Sequence, residues 1–121
     1  MEKHPGSYLG TELNGRWWRR YSENGFFARG AGEYWFDQDA LCFQRFLTSS
    51  PLRIPYSCIR GTEVGTWHAG TWRLGVPIVK VAWEQHGQHL SSGIAVSRDL
   101  NSTQAFIEEL AARVRAASSN P

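Results

Sequence analysis

Long apolar runs are missing from this 121-residue sequence, and no stretch approaches the roughly 20 consecutive apolar positions that a membrane-spanning helix requires. The first ten residues also lack the apolar core of a secretory signal, so the expected home is the cytoplasm. Cysteine appears only at Cys42 and Cys58. In a chain long enough to build its own core, such a pair is weak ground for a bridge, and both are expected to be free thiols. Charge is sparse too. Only 20% of residues are charged and the formal net charge is +2, too weak a field for a dedicated nucleic-acid binder, so no nucleic-acid partner is expected.

What the sequence does hold is apolar and aromatic surface. Hydrophobic residues make up 41% of the chain, enough to fold one domain without disulfides or a structural metal. Six tryptophans, six phenylalanines and four tyrosines suit pleated, half-buried strands better than helices. All basic residues except Lys3 and Lys80 are arginines, the better group for planar recognition of carboxylate or phosphate.

Residues 1–14 read as a flexible arm, because 1–10 mix glycine, proline and polar residues without a period. Residues 15–117 then read as one domain, with 118–121 a frayed tail. Arg16 to Tyr21 lies between the turn signals Asn14-Gly15 and Asn24-Gly25 and is expected to be a short strand. Residues 33–36 and 40–47 form a hairpin around the acidic turn Asp37-Gln38-Asp39, with Leu41, Phe43 and Leu47 on one face. Leu52 to Ile54 is a strand that Pro55 confines to an edge or an early end. Another strand falls within 59–67, and 65–77 reads as a long ordered loop. The best-patterned pair is 78–84 with 90–96, where Val79, Val81 and Trp83 alternate with Lys80 and Glu84. The period then changes: Asn101 with Gln104 resembles a capping box, and Phe106, Ile107, Leu110 and Val114 recur at helical spacing to about Ala117.

Successive hairpins closed by one capped helix resemble the pleckstrin-homology-like superfold, in particular its bacterial PH-like and GRAM-like groups. The segments that carry the resemblance are GEYWFDQDALCFQRFL, PLRIPYSCI, IVKVAWEQHGQHLSSGIAV and TQAFIEELAARV. It implies a mainly β fold, a bent antiparallel barrel or sandwich whose open end is plugged by the C-terminal helix through Phe106, Leu110 and Val114. It also implies binding rather than chemistry, of phosphoinositide head groups or of protein partners. The lipid signature of that family is a basic first hairpin, whereas 26–32 here offers only Arg29.

Candidate sites follow from residue type. The loop GTWHAGTWRLGVP places Trp67, His68, Trp72 and Arg73 together: flat amphipathic rings, a group that titrates near neutrality and a forked donor. Inward packing of the tryptophans to order the loop is the competing role. A second, basic-aromatic patch joins Arg16, Trp18, Arg19 and Arg20, suited to anionic lipid unless its tryptophans pack in the core. His86 and His89 flank a turn without a third metal ligand, and no metal or cofactor is expected. His68 with Glu63 or Asp37 has acid–base chemistry but no nucleophile in a recognisable setting. Ser91-Ser92-Gly93 reads as a strand bend or bulge where another element approaches closely, rather than an anion nest. The expected function is a noncatalytic binding module for a protein or peptide, with self-association through a strand edge also open. Anionic membrane or lipid head-group binding through the arginines and tryptophans is the alternative, followed by a small enzyme using His68.

Overall fold

A computed structural model describes residues 2–13, 16–20, 30–46, 50–65, 67–68, 71–72 and 76–119; at 12, 16–20, 30, 67–68, 71–72 and 119 the description is of backbone alone. The strands are β1 (His4–Leu13), β2 (Arg16–Arg20), β3 (Gly30–Phe36), β4 (Ala40–Arg45), β5 (Leu52–Pro55), β6 (Ile59–Gly65), β7 (Trp67–His68), β8 (Thr71–Trp72), β9 (Ile78–Gln85) and β10 (Gln88–Ala95), followed by the helix α1 (Leu100–Ser119). Seven of them form one antiparallel sheet in the order β5-β4-β3-β1-β10-β9-β6; β2 pairs with the end of β1, and β7 with β8. The sheet is bent, so that side chains from both edges meet in one core, but it is not closed, since β5 and β6 are not paired. Ile54 of β5 and Ile59 of β6 share it with Phe43, Val79, Val81, Trp83, Phe106 and Leu110. The expected mainly β fold with a bent sheet capped by one helix is the fold observed.

Local chemistry explains the best-patterned pieces. Between β9 and β10, Gln85 pairs with Gln88 across the two-residue turn His86-Gly87, both at positive φ (53° and 77°). That is the backbone a tight hairpin of matching twist needs, and glycine adopts it freely. Val79, Val81 and Trp83 are buried on one face of β9 while Ala82 is exposed on the other. In β4, Leu41 and Phe43 enter the main core, and Ala40 and Cys42 pack with Trp35 on the reverse face. Both cysteines are unbridged.

The N-terminal segment overturns the expectation of an arm. It is β1, hydrogen-bonded to β3 on one side and β10 on the other, with Tyr8 and Leu9 buried. Pro5 is tolerated because pairing to β10 begins only at Ser7. The registers Tyr8↔Ile94 and Thr11↔Ser92 show one extra residue in β1, a bulge that contains Gly10 at φ 100°. This bulge turns Tyr8 and Thr11, three residues apart, to the same side, where both bond Ser92. Leu9 points the other way, into a second cluster with Val76, Ile78 and Ala95.

The helix starts earlier than the sequence pattern predicts. Asp99 is its cap: the Ser102 backbone N–H and hydroxyl both donate to Oδ2, at 3.0 and 2.9 Å, and Thr103 Oγ1 donates to the Asp99 carbonyl at 3.0 Å. Asn101 therefore sits inside the first turn. Thr103, Phe106 and Leu110 are buried, flanked by Ile107, Val114 and Ala117. The Phe106 ring meets Tyr34 edge-on at 5.0 Å and Phe36 at 5.5 Å, which fixes the helix across the sheet.

Candidate functional site

Among the described residues the seven-strand path ends in two edges, β5 and β6, and they differ. The β5 edge is four residues long, ends in Pro55 and follows Pro51, and proline cannot donate to an added strand. The β6 edge contains no proline. Its residues 60–64 are all exposed, with Val64 at 48%. A register shift between Ile59 and Gly61 bulges the strand at Arg60, after which Gly61 to Gly65 pair regularly with β9. Among the described residues β6 pairs with β9 alone.

Alternation sets what each face of that edge presents. Thr62 and Val64 lie opposite Val81 and Val79, on the face of the main core; Gly61, Glu63 and Gly65 lie opposite Ala82, Lys80 and Ile78 on the outer face, which is exposed at Ala82 but covered at Ile78 by the second cluster. The outer face carries a shallow depression of about 300 Å³ lined by Gly61, Thr62, Glu63, Lys80, Ala82 and Ser91. Arg60 is engaged, its NH1 donating to the Ser57 carbonyl at 2.9 Å and its Nε 3.7 Å from Glu84.

Two larger grooves flank α1 and share Arg113. One, of about 730 Å³, runs past Asp37, Asp39, Tyr56, Ser57 and Ala117. The other, of about 570 Å³, is lined by His4, Tyr34, Phe36, Phe106 and Glu109. Arg113 donates to Glu109 at 2.7 Å and lies 5.0 Å from the centre of the Phe36 ring. The turn between β3 and β4 is equally fastened. Arg53 donates to Asp37 at 3.0 Å and to Asp39 at 2.5 Å, and Tyr56 Oη donates to the Asp37 carbonyl at 2.7 Å. The Gln38 backbone N–H and then Arg53 hold the Asp37 carboxyl below its ordinary range, while burial pushes the Tyr56 phenol up. The charges of these grooves are thus matched internally, as in a structural clamp.

The sequence-predicted site is only partly placed. Trp67, His68 and Trp72 lie in the β7–β8 ladder, Trp67 opposite Trp72 and His68 opposite Thr71. Residues 65–77 therefore carry a small hairpin where a loop was expected. The side chains of these three and the whole of Arg73 lie outside the described residues, as do the side chains of Arg16, Trp18, Arg19 and Arg20 in β2. The expected strand at 16–21 is present as β2, with Arg20 opposite Glu12 and Arg16 opposite Leu13. His89 contacts Glu84 at 3.1 Å, and no group of three metal-ligating side chains converges among the described residues. Ser92 lies within β10 beside the bulge of β1, where neighbouring strands approach it closely. It is the centre of a buried polar cluster, accepting from Trp83 Nε1 at 3.0 Å and bonded to Tyr8 and Thr11. The β6 edge is not legible in the sequence because its text, IRGTEVG, marks a strand but not its position in the sheet.

A scan against protein-family models finds no match for the chain, and a search of the curated proteins finds none either.

Proposed function

We propose that this domain is a noncatalytic, PH-like binding module that takes a protein or peptide partner as an added strand on β6. The observation that carries the reading is the exposure of residues 60–64 on both faces of an edge strand that contains no proline. An edge of this kind presents a row of backbone donors and acceptors, and strand addition converts them into affinity while alternate side chains supply selectivity. The layout, hairpins followed by one helix across a bent sheet, supports the PH-like assignment. The internally paired groups around Arg53 and Arg113 support binding over catalysis, since each charged group there already has a structural partner.

The test uses two substitutions, Thr62→Pro and Glu63→Pro. Successive N–H groups of a strand point to opposite sides, so one variant loses a bond to β9 and the other loses only an outward donor. The variant that keeps the parent melting temperature identifies the outward position. Proteins retained from lysate by the immobilised parent chain should be lost by that variant. Unchanged retention would refute strand addition.

A further inference from the structure

We infer that β6 selects its partner by charge as well as by backbone, taking an extended segment with a lysine or arginine beside Glu63 and an apolar residue beside Val64. The inference rests on β6 being the docking edge, as proposed above. Its basis is an imbalance along the strand. The positive group at its head, Arg60, is held by the Ser57 carbonyl and Glu84. The negative group in its middle, Glu63, has no ion pair among the described residues. Lys80, although directly opposite Glu63 in register, extends over Gly65, where an added Cβ would lie 3.3 Å from its Cε and 3.5 Å from its Nζ.

Glu63 is also framed by Gly61 and Gly65 on its own face, so no side chain on β6 shields it, and the depression beside it has room for the stem of a long cation. On the opposite face, Val64 is 48% exposed although its cross-strand neighbour Val79 is fully buried. An apolar residue on an added strand would extend that buried face by one position. Because side chains alternate, a partner can satisfy both demands with adjacent residues, one basic and one apolar. A second copy of this chain satisfies them poorly. Two-fold antiparallel pairing centred on Thr62 or Glu63 brings both Glu63 carboxylates onto one face as diagonal or direct neighbours, and like charges so placed repel.

The test is a titration of the isotopically labelled full chain with two acetylated, amidated five-residue peptides, read by backbone amide shifts. One peptide alternates valine and lysine; the other has glutamate in place of lysine. The lysine peptide should shift the amides of 61–65 and reach half-saturation at a concentration roughly threefold or more below the glutamate peptide. Glu63→Lys should reverse that order. Equal binding of both peptides at β6 would overturn the charge selection while leaving strand addition standing. Shifts confined to other parts of the sheet, no shifts with either peptide, or a concentration-dependent dimer that perturbs 61–65 without peptide would overturn the inference outright, and the proline variants decide the underlying reading independently.

Discussion

Trp83 Nε1 donates to Ser92 Oγ across 3.0 Å, between adjacent strands and with both side chains buried. Ser92 is also 2.9 Å from Thr11 Oγ1 and accepts from Tyr8 Oη at 3.3 Å, so one hydroxyl satisfies three buried polar groups. Ser92→Ala removes all three bonds at once, while the Tyr8 and Thr11 hydroxyls keep the bond between them. A buried hydrogen bond contributes about 0.5–1.5 kcal/mol net. A fall in the urea midpoint equivalent to at least about 1 kcal/mol is expected; a variant as stable as the parent would mean that the cluster does not hold β1 to β10.

Burial raises the Tyr8 phenol above its ordinary pKa, more than its bonds to Ser92 and Thr11 lower it, and burial also raises Tyr34 and Tyr56. The folded state therefore keeps these phenols protonated where the unfolded chain has begun to lose protons. Their contribution is fully present below the unfolded value, about pH 10, and is lost as pH rises through the folded values. Burial raises the Cys42 thiol in the same direction, so stability from urea titrations should begin to fall as pH passes the ordinary thiol range, about 8.5, and fall more steeply above about pH 10. Tyr8→Phe should make the alkaline fall shallower.

At the helix cap the sign reverses. The bonds from Ser102 hold the Asp99 carboxyl below its ordinary pKa, so its stabilisation is present above the unfolded carboxylate value and disappears as pH falls through the folded one. Asp99→Ala should lower the melting temperature at pH 7 and have little effect at pH 2. Asp99→Asn should retain most of the capping at both. Asn101→Ala should be near neutral, because that residue lies beyond the cap; if it destabilises more than Asp99→Ala, the cap has been placed two residues too early.

Leu110 is fully buried between helix and sheet and is the residue by which α1 covers the core. Leu110→Ala should cost about 2–5 kcal/mol. A melting temperature within a degree of the parent would show that the helix is not part of the folded core.

The hairpins and the helix were legible in the sequence because their apolar residues repeat with one clear period over several residues, as in Val79, Val81 and Trp83 or in Phe106, Leu110 and Val114. β1 was not, because HPGSYLGTEL is punctuated by proline and two glycines that normally mark a turn or tail. Each glycine has a tertiary use that only the assembled sheet reveals. Gly6 makes room where an added Cβ would lie 3.2 Å from the Ala95 carbonyl oxygen and 3.2 Å from the Tyr34 ring, and Gly10 supplies the positive φ of the bulge. The cap was misread for a simpler reason: Asn101 and Asp99 both have the side chain for the role, and only the bonds to Ser102 distinguish them. The β6 edge depends on sheet order, which no local pattern encodes.

Hydrogen exchange of the β6 amides in the free protein reads out whether that edge is open. In an edge strand, alternate N–H groups point away from the sheet. Within 61–65, the amides bonded to β9 should exchange slowly, and those between them should exchange at nearly the rate of an unstructured peptide. Central amides of β9 and β10, paired on both sides, should be protected throughout. If every amide of 61–65 is as protected as those of β9, the edge is already occupied in the free protein and β6 does not take an added strand.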